Sequence, residues 1–185
     1  MADHSSRFFV LTGGPGSGKT TLLDALENAG YKRSVEAGRA VIQHQLSIGG
    51  DGLPWGDRVK FAEQMLAWEI HSYNESLGVT GAVFFDRGVP DVVGYVRLIG
   101  EAIPKHVKQA AEKYRYNRRV FMAPPWPEIF CQDQQRKQDF AEAIRTFEAM
   151  VVTYSELGYE LVELPRARIE ERVKFVLEKS GVEHR

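Results

Sequence analysis

Directly behind a short apolar run at residues 8–12 (FFVLT), the chain carries GGPGSGKTT over residues 13–21. Four glycines, a proline, a serine, a lysine and two threonines in nine positions restrict what this segment can be. Gly13, Gly18, Lys19 and Thr20 satisfy the spacing G-x-x-x-x-G-K-[ST] of a phosphate-binding loop. Glycines let the main chain wrap a phosphate chain with several N–H groups pointing inward, and the helix that follows adds its positive end. A strand before the motif and a helix after it set it apart from a plain glycine-rich turn.

The expected triphosphate contacts are therefore Gly13, Gly14, Pro15, Gly16, Ser17, Gly18, Lys19, Thr20 and Thr21. Lys19 is expected on the β- and γ-phosphate oxygens, the Thr20 hydroxyl on Mg²⁺, and Thr21 near the α-phosphate. A guanine-reading N-K-x-D motif is absent from the sequence. ATP is the expected nucleotide, with GTP left open.

Apolar runs and helical periodicities alternate along the rest of the chain. The spacing predicts a helix over 18–29, with Leu22, Leu23 and Leu26 on one face and Gly30 as its stop. A second strand is expected over 33–37 (RSVEA), a short helix over 38–46 and a loop over 47–57. Asp57 then caps a helix over 57–77 whose stripe of Phe61, Met65 and Trp68 reads as core. GAVFFDRG at 81–88 is the clearest further strand, followed by helices over 91–100 and 103–114. A strand in RRVFMAPPWP ends at its prolines. A helix over 139–157 places Phe140, Ile144, Phe147, Val151 and Tyr154 on one face. A strand over 159–165 and a helix marked by Ile169, Val173, Val176 and Leu177 close the pattern. Near-continuously apolar strands alternating with helices imply an α/β fold with a parallel sheet covered on both faces. Ligands of such sheets bind beyond the carboxyl ends of the strands, where charged residues become candidates.

At the end of AVFF stand Asp86 and Arg87. The acid is expected to hold Mg²⁺, directly or through water. Hydrolytic motors commonly place a glutamate beside this position to activate water, whereas Arg87 suits a phosphate or an anionic group. Asp91 either lines the pocket or caps a helix. After the second strand, Glu36 is placed to orient or deprotonate an acceptor hydroxyl; the alternative is a structural pair with Arg39. Asp133, Arg136 and Lys137 lie in a polar stretch, and Arg136 is the candidate lid cation within a lid-like segment at 124–139. Trp126 either walls a pocket or pins its loop, and Trp55 either stacks on a substrate ring or plugs the core.

The length of 185 residues fits one domain, residues 1–185. A formal net charge of −1 supplies no basic field for nucleic acid. The stretch 105–119 is locally basic and reads as the solvated side of a helix or an anion-facing edge. Cys131 is the single cysteine, which rules out an intrachain disulfide and suits a reducing compartment. Neither a secretory leader nor a bilayer-spanning run precedes the glycines, so the cytoplasm is the expected location. Oligomeric state is not encoded in any feature of the sequence.

The combination FFVLTGGPGSGKTT, VEAGRAVI, AVFFDRGVPD and QDQQRKQ resembles small bacterial AAA-type predicted ATPases. These are similar to the ribosylnicotinamide kinase domain of NadR and to TRPL-translocation-defect-type nucleotide-binding proteins. The resemblance implies a P-loop NTPase core of the kinase-like kind, three layers α/β/α, with five parallel strands in the order 2-3-1-4-5. It also implies Glu36 as base, in the manner of deoxyribonucleoside kinases, and Asp86 with Arg87 as the pair closing the third strand. A second lid arginine beside Arg136 is missing. The expected activity is transfer of the γ-phosphoryl of MgATP to a hydroxyl of a nucleoside-like or other small metabolite. In that reading the catalytic residues are Lys19, Glu36, Asp86, Arg87 and Arg136. The rival expectation is an NTP-dependent binding module or switch with slow or no hydrolysis.

Overall fold

The protein's structure is a computed structural model that describes residues 4–130 and 139–182. Arg136, with Asp133 and Lys137, lies outside the described residues, as does Cys131.

Aromatic and branched residues at Phe8–Gly13 form the central strand β1, buried along its whole length. Helix α1 (Lys19–Asn28) follows the glycine loop, and β2 is only Lys32–Arg33. Helices α2 (Ala37–Ile48) and α3 (Arg58–Ser76) precede β3 (Val83–Asp86). Helices α4 (Val89–Leu98) and α5 (Lys105–Lys113) lead to β4 (Arg119–Ala123). Helix α6 (Phe140–Glu156), β5 (Glu160–Glu163) and α7 (Ile169–Ser180) complete the chain. The sheet order is β2-β3-β1-β4-β5, and every pairing is parallel. Among the described residues no helix is long and apolar enough to cross a membrane.

Alternation along β1 divides the core into two layers. Phe8 and Val10 join Phe85 and Val120 in a cluster with Phe61, Met65 and Met150 from the helices of that face. Phe9 and Leu11 face the other way and pack with Phe84, Phe121 and the leucines of α1, together with Val176 and Leu177 of α7. The glycine loop thus leaves β1 toward a helix on one face, while the residues after β2 and β3 turn toward the other.

Several expected boundaries move, each for a local reason. The second strand was expected over 33–37, but only Lys32 and Arg33 pair with β3. The Ser34 N–H still donates to the Phe84 carbonyl (3.0 Å), while its hydroxyl accepts from the Asp86 N–H (2.9 Å). That side-chain bond ends the ladder, and Glu36 becomes the N-cap residue of α2. Helix α4 starts before Asp91, because the Asp91 carboxylate accepts from the Gly88 N–H at 2.9 Å and closes its first turn. Asp57 caps α3 as expected, through Lys60 N–H at 2.9 Å. On α6 the buried side is Ala143, Thr146, Met150, Thr153 and Tyr154, while Ile144 is exposed. The face rotates because Met150 seats against Gly94 of α4, where a Cβ would meet its sulfur at 2.5 Å.

Residues of the basic stretch are spent locally. The Arg115 guanidinium lies over the Tyr159 ring at 4.1 Å, and Arg118 pairs with Glu160 at 2.7 Å.

Candidate functional site

The loop between β1 and α1 is packed too closely by the rest of the chain for side chains at several of its glycines. Gly13 adopts φ 133°, and a Cβ there would lie 2.3 Å from the Ala123 carbonyl oxygen. Gly18 adopts φ 74°, and a Cβ there would meet the Arg172 guanidinium at 2.7 Å. Lys19 is buried and folds over the loop, donating to the carbonyls of Gly14 (2.6 Å) and Gly13 (3.2 Å) and to Ser17 Oγ (3.1 Å). Ser17 in turn donates to the Gly14 carbonyl at 2.8 Å.

A cavity of about 510 Å³ opens over this loop. Its walls include Lys19, Thr20, Thr21, Trp126, Arg168 and Arg172. Trp126 therefore walls a pocket, with the Arg172 guanidinium 5.7 Å from its ring centroid. Arg172 is a residue that the sequence reading missed. It is buried in α7 and donates to the carbonyls of Ser17 and Gly18, both at 3.3 Å. Burial lowers its affinity for its proton. The visible signal was a cation inside the apolar stripe of the last helix, between Ile169 and Val176.

A second cavity, of about 240 Å³, lies on the opposite side of Glu36. Pro15 and Glu36 line both cavities and form their common wall. Arg87 stands in the second one. Its φ of 73° is the single positive value among the described non-glycine residues. Such a backbone costs an L-residue about 1–2 kcal/mol. Here it turns the guanidinium back to Glu36 (Nε to Oε1, 3.3 Å) and to Asp91 (Nη1 to Oδ1, 3.3 Å). Burial works against its charge, but Glu36, Asp91 and Asp86 outweigh it and hold the guanidinium above its ordinary value.

Each carboxylate here has a different situation. Glu36 has Arg87 as its nearer partner, and the expected Arg39 pair is longer, at 3.8 Å. Asp91 is both a cap and a pocket residue. It accepts from Thr12 Oγ1, from the Tyr154 hydroxyl at 2.5 Å and from Arg87. Asp86, at the end of β3, is buried and lines neither cavity. Trp55 is 57% exposed and lines the second cavity, so it is not a core plug.

Glu69 is the second residue that the sequence reading missed. It is 2% exposed, lines the second cavity, and its Oε2 has no hydrogen-bond partner among the described residues. Burial first, then the carboxylates of Asp91 and Asp86, push its carboxyl well above the ordinary range. The sequence did carry a sign. Glu69 continues the four-residue spacing of Phe61 and Met65, and an acid on an apolar helical face needs a reason.

A glycine loop over a helix N-terminus, behind the central strand of a parallel sheet in this order, defines a P-loop fold of the kinase-like kind. The sequence matches the AAA domain family over residues 8–172, and the chain belongs to that family. No curated protein matches it. Among solved structures it is similar to NadR in complex with NR, with TM-score 0.69 and 18% identity over 98% of this chain and 53% of that one. NadR in complex with NAD and AMP-PNP gives TM-score 0.64 and 19% identity, covering 97% of this chain and 51% of that one. A deoxyadenosine kinase from M. mycoides gives TM-score 0.60 and 11% identity, covering 94% and 98%. The chain thus spans about half the length of the NadR chains it matches. These likenesses share the fold, and the strand order is the one expected.

Proposed function

We propose that the protein is a small-molecule kinase that transfers the γ-phosphoryl of MgATP to a hydroxyl. The observation that carries this reading is the wall shared by two cavities. One is lined by phosphate-loop residues, the other has apolar sides, and the Glu36 carboxylate stands between them. The ligands of the similar structures, AMP-PNP with NadR and dCMP with the deoxyadenosine kinase, agree with a nucleotide in the first and a small molecule in the second.

In this reading the loop amides and Lys19 hold the phosphates. Lys19 then exchanges its present bonds to the Gly13 and Gly14 carbonyls for phosphate oxygens. Thr20 lines the loop cavity and would offer Mg²⁺ a hard oxygen donor, while Asp86, which ends β3 and lines neither cavity, would reach the ion through water. Bound there, Mg²⁺ would neutralise charge on the phosphate oxygens. The acceptor oxygen forms its bond to the γ-phosphorus as the bond from that phosphorus to the β–γ bridging oxygen breaks. The acceptor proton passes to Glu36, and ADP leaves with the bridging oxygen. Arg87 holds Glu36 in place and lends positive charge to the transferred group. Because Glu36 lines both cavities and Asp86 lines neither, Glu36 is the favoured base.

An ADP-release screen tests the proposal, with nucleosides, aminoglycosides, sugars and nucleoside monophosphates as acceptors. The expected result is ADP formation that depends on one acceptor class, with the phosphorylated acceptor found by mass spectrometry. Slow hydrolysis indifferent to every acceptor would overturn it. Nucleotide-dependent protection of the loops around Trp55 and Trp126 would then favour a switch.

A further inference from the structure

Five charged side chains line the Arg87 cavity: the carboxyls of Glu36, Glu69, Asp91 and Glu142 and one guanidinium. The acids are not equivalent. Asp91 has its oxygens taken by Thr12, Tyr154, the Gly88 N–H and Arg87. Glu36 is held by Arg87 at the common wall. Glu142 lies in the first turn of α6, where the helix end favours an acid. Glu69 differs, because it is the most deeply buried of the four and keeps an oxygen that nothing among the described residues satisfies. A buried acceptor left unmade is costly, and no packing role is served by an oxygen where a leucine would fit. Phe61, Met65 and Tyr95 wall the same space, so a flat or apolar body fits beside that oxygen. The Tyr95 hydroxyl is also without a partner among the described residues.

We propose that Glu69 is a specificity-determining residue of this cavity, and that it selects an acceptor presenting an N–H donor, amine or amide, at its buried end. The proposal rests on the kinase reading for the word acceptor, but not for the recognition itself. The N–H group donates to Glu69 Oε2, while the hydroxyl to be phosphorylated faces Glu36 at the other end of the cavity. The acidic surplus in the lining disfavours any molecule that already carries a phosphate. A site built to bond a donor rejects the analogue that lacks it far more strongly than an apolar pocket rejects a missing methylene.

The experiment uses matched pairs that differ by one amino group with no donor in its place: adenosine and purine riboside, cytidine and pyrimidin-2-one riboside, glucosamine and 2-deoxyglucose. Binding is measured by calorimetry without nucleotide, and turnover by ADP release with MgATP. Wild type, E69L and the shape-conserving E69Q are compared, with thermal unfolding and MgATP binding as folding controls. The expected result is that wild type prefers the amino member of at least one pair by about tenfold or more, and that E69L abolishes the preference. E69Q, which keeps a carbonyl oxygen in the same place, retains part of the preference. Equal binding within every pair, no binding of any member, preference for a nucleoside monophosphate such as AMP, or a preference that survives in folded E69L would each overturn the inference. If the amino member binds selectively yet no phosphoryl is transferred, Glu69 recognition stands and the kinase reading fails.

Discussion

The two cavities share a wall but are made differently. The loop cavity takes seven of its lining residues, Pro15 to Thr21, from one uninterrupted run. In the proposed reading its working surface is main chain, and a preference for polyanions would follow from amide direction and glycine backbone angles. The Arg87 cavity gathers Glu36 from the start of α2, Trp55 from a loop, Glu69 from α3, Arg87 from the turn after β3 and Thr146 from α6. Its surface is side chain, held by buried ion pairs, and each group is positioned by a different element. A binding surface made of backbone is written locally in the sequence. One made of side chains from separate elements exists only after folding.

Four substitutions test that contrast, and the largest effect belongs to the side-chain cavity. Arg87→Met leaves Glu36 and Asp91 buried without their cation, and folding stability is expected to fall by about 3–5 kcal/mol. Urea unfolding checks this, and a loss of about 0.5 kcal/mol, as at an ordinary surface position, would remove Arg87 as its keystone. On the backbone side, Lys19→Ala is expected to lower ATP-dependent turnover by about 10²–10³-fold, because the loop's one ammonium charge is lost. Unchanged heat on titration with MgATP, together with unchanged turnover, would contradict the loop assignment.

Glu36→Gln tests the shared wall. MgATP binding is expected to persist while transfer drops about 10²-fold, as for the loss of a general base. Transfer at the wild-type rate would hand the role to Asp86. The smallest effect is a pH slope. The Glu69 carboxyl is held above its ordinary value of 4.5, so the folded chain keeps a proton that the unfolded chain has released. Wild-type stability is therefore expected to fall as pH rises above that value, and E69Q to lack this component. Parallel melting-temperature profiles for the two proteins would show that the acid is not held this way.

That same contrast explains what could be read in advance. The glycine loop and the strand and helix that flank it were legible from spacing alone, because their signals span a few neighbouring residues. The strand order was not legible from spacing; it came from the family resemblance. Glu36 could be singled out because it follows a strand end, although the strand itself proved to stop at Arg33 once the Ser34 hydroxyl bonded across to β3. Its true partner, Arg87, lies 51 residues away and was proposed for a different reason. Glu69 and Arg172 were passed over because each sits in a helix read for its apolar stripe. Their oddness, a charge inside the stripe, becomes meaningful when the element packs. The α6 face shifted because Gly94, on another helix, has no side chain to keep Met150 away.

The bonds from Arg172 to the Ser17 and Gly18 carbonyls carry a mechanical consequence. They tie the most C-terminal helix of the described chain to the hinge where the glycine turn becomes α1. The position of Arg172 against the loop thus depends in part on how firmly α7 rests on α1. Loosening that seat, even at Val176 or Leu177, is expected to weaken the proposed phosphate site without altering any residue of the glycine loop.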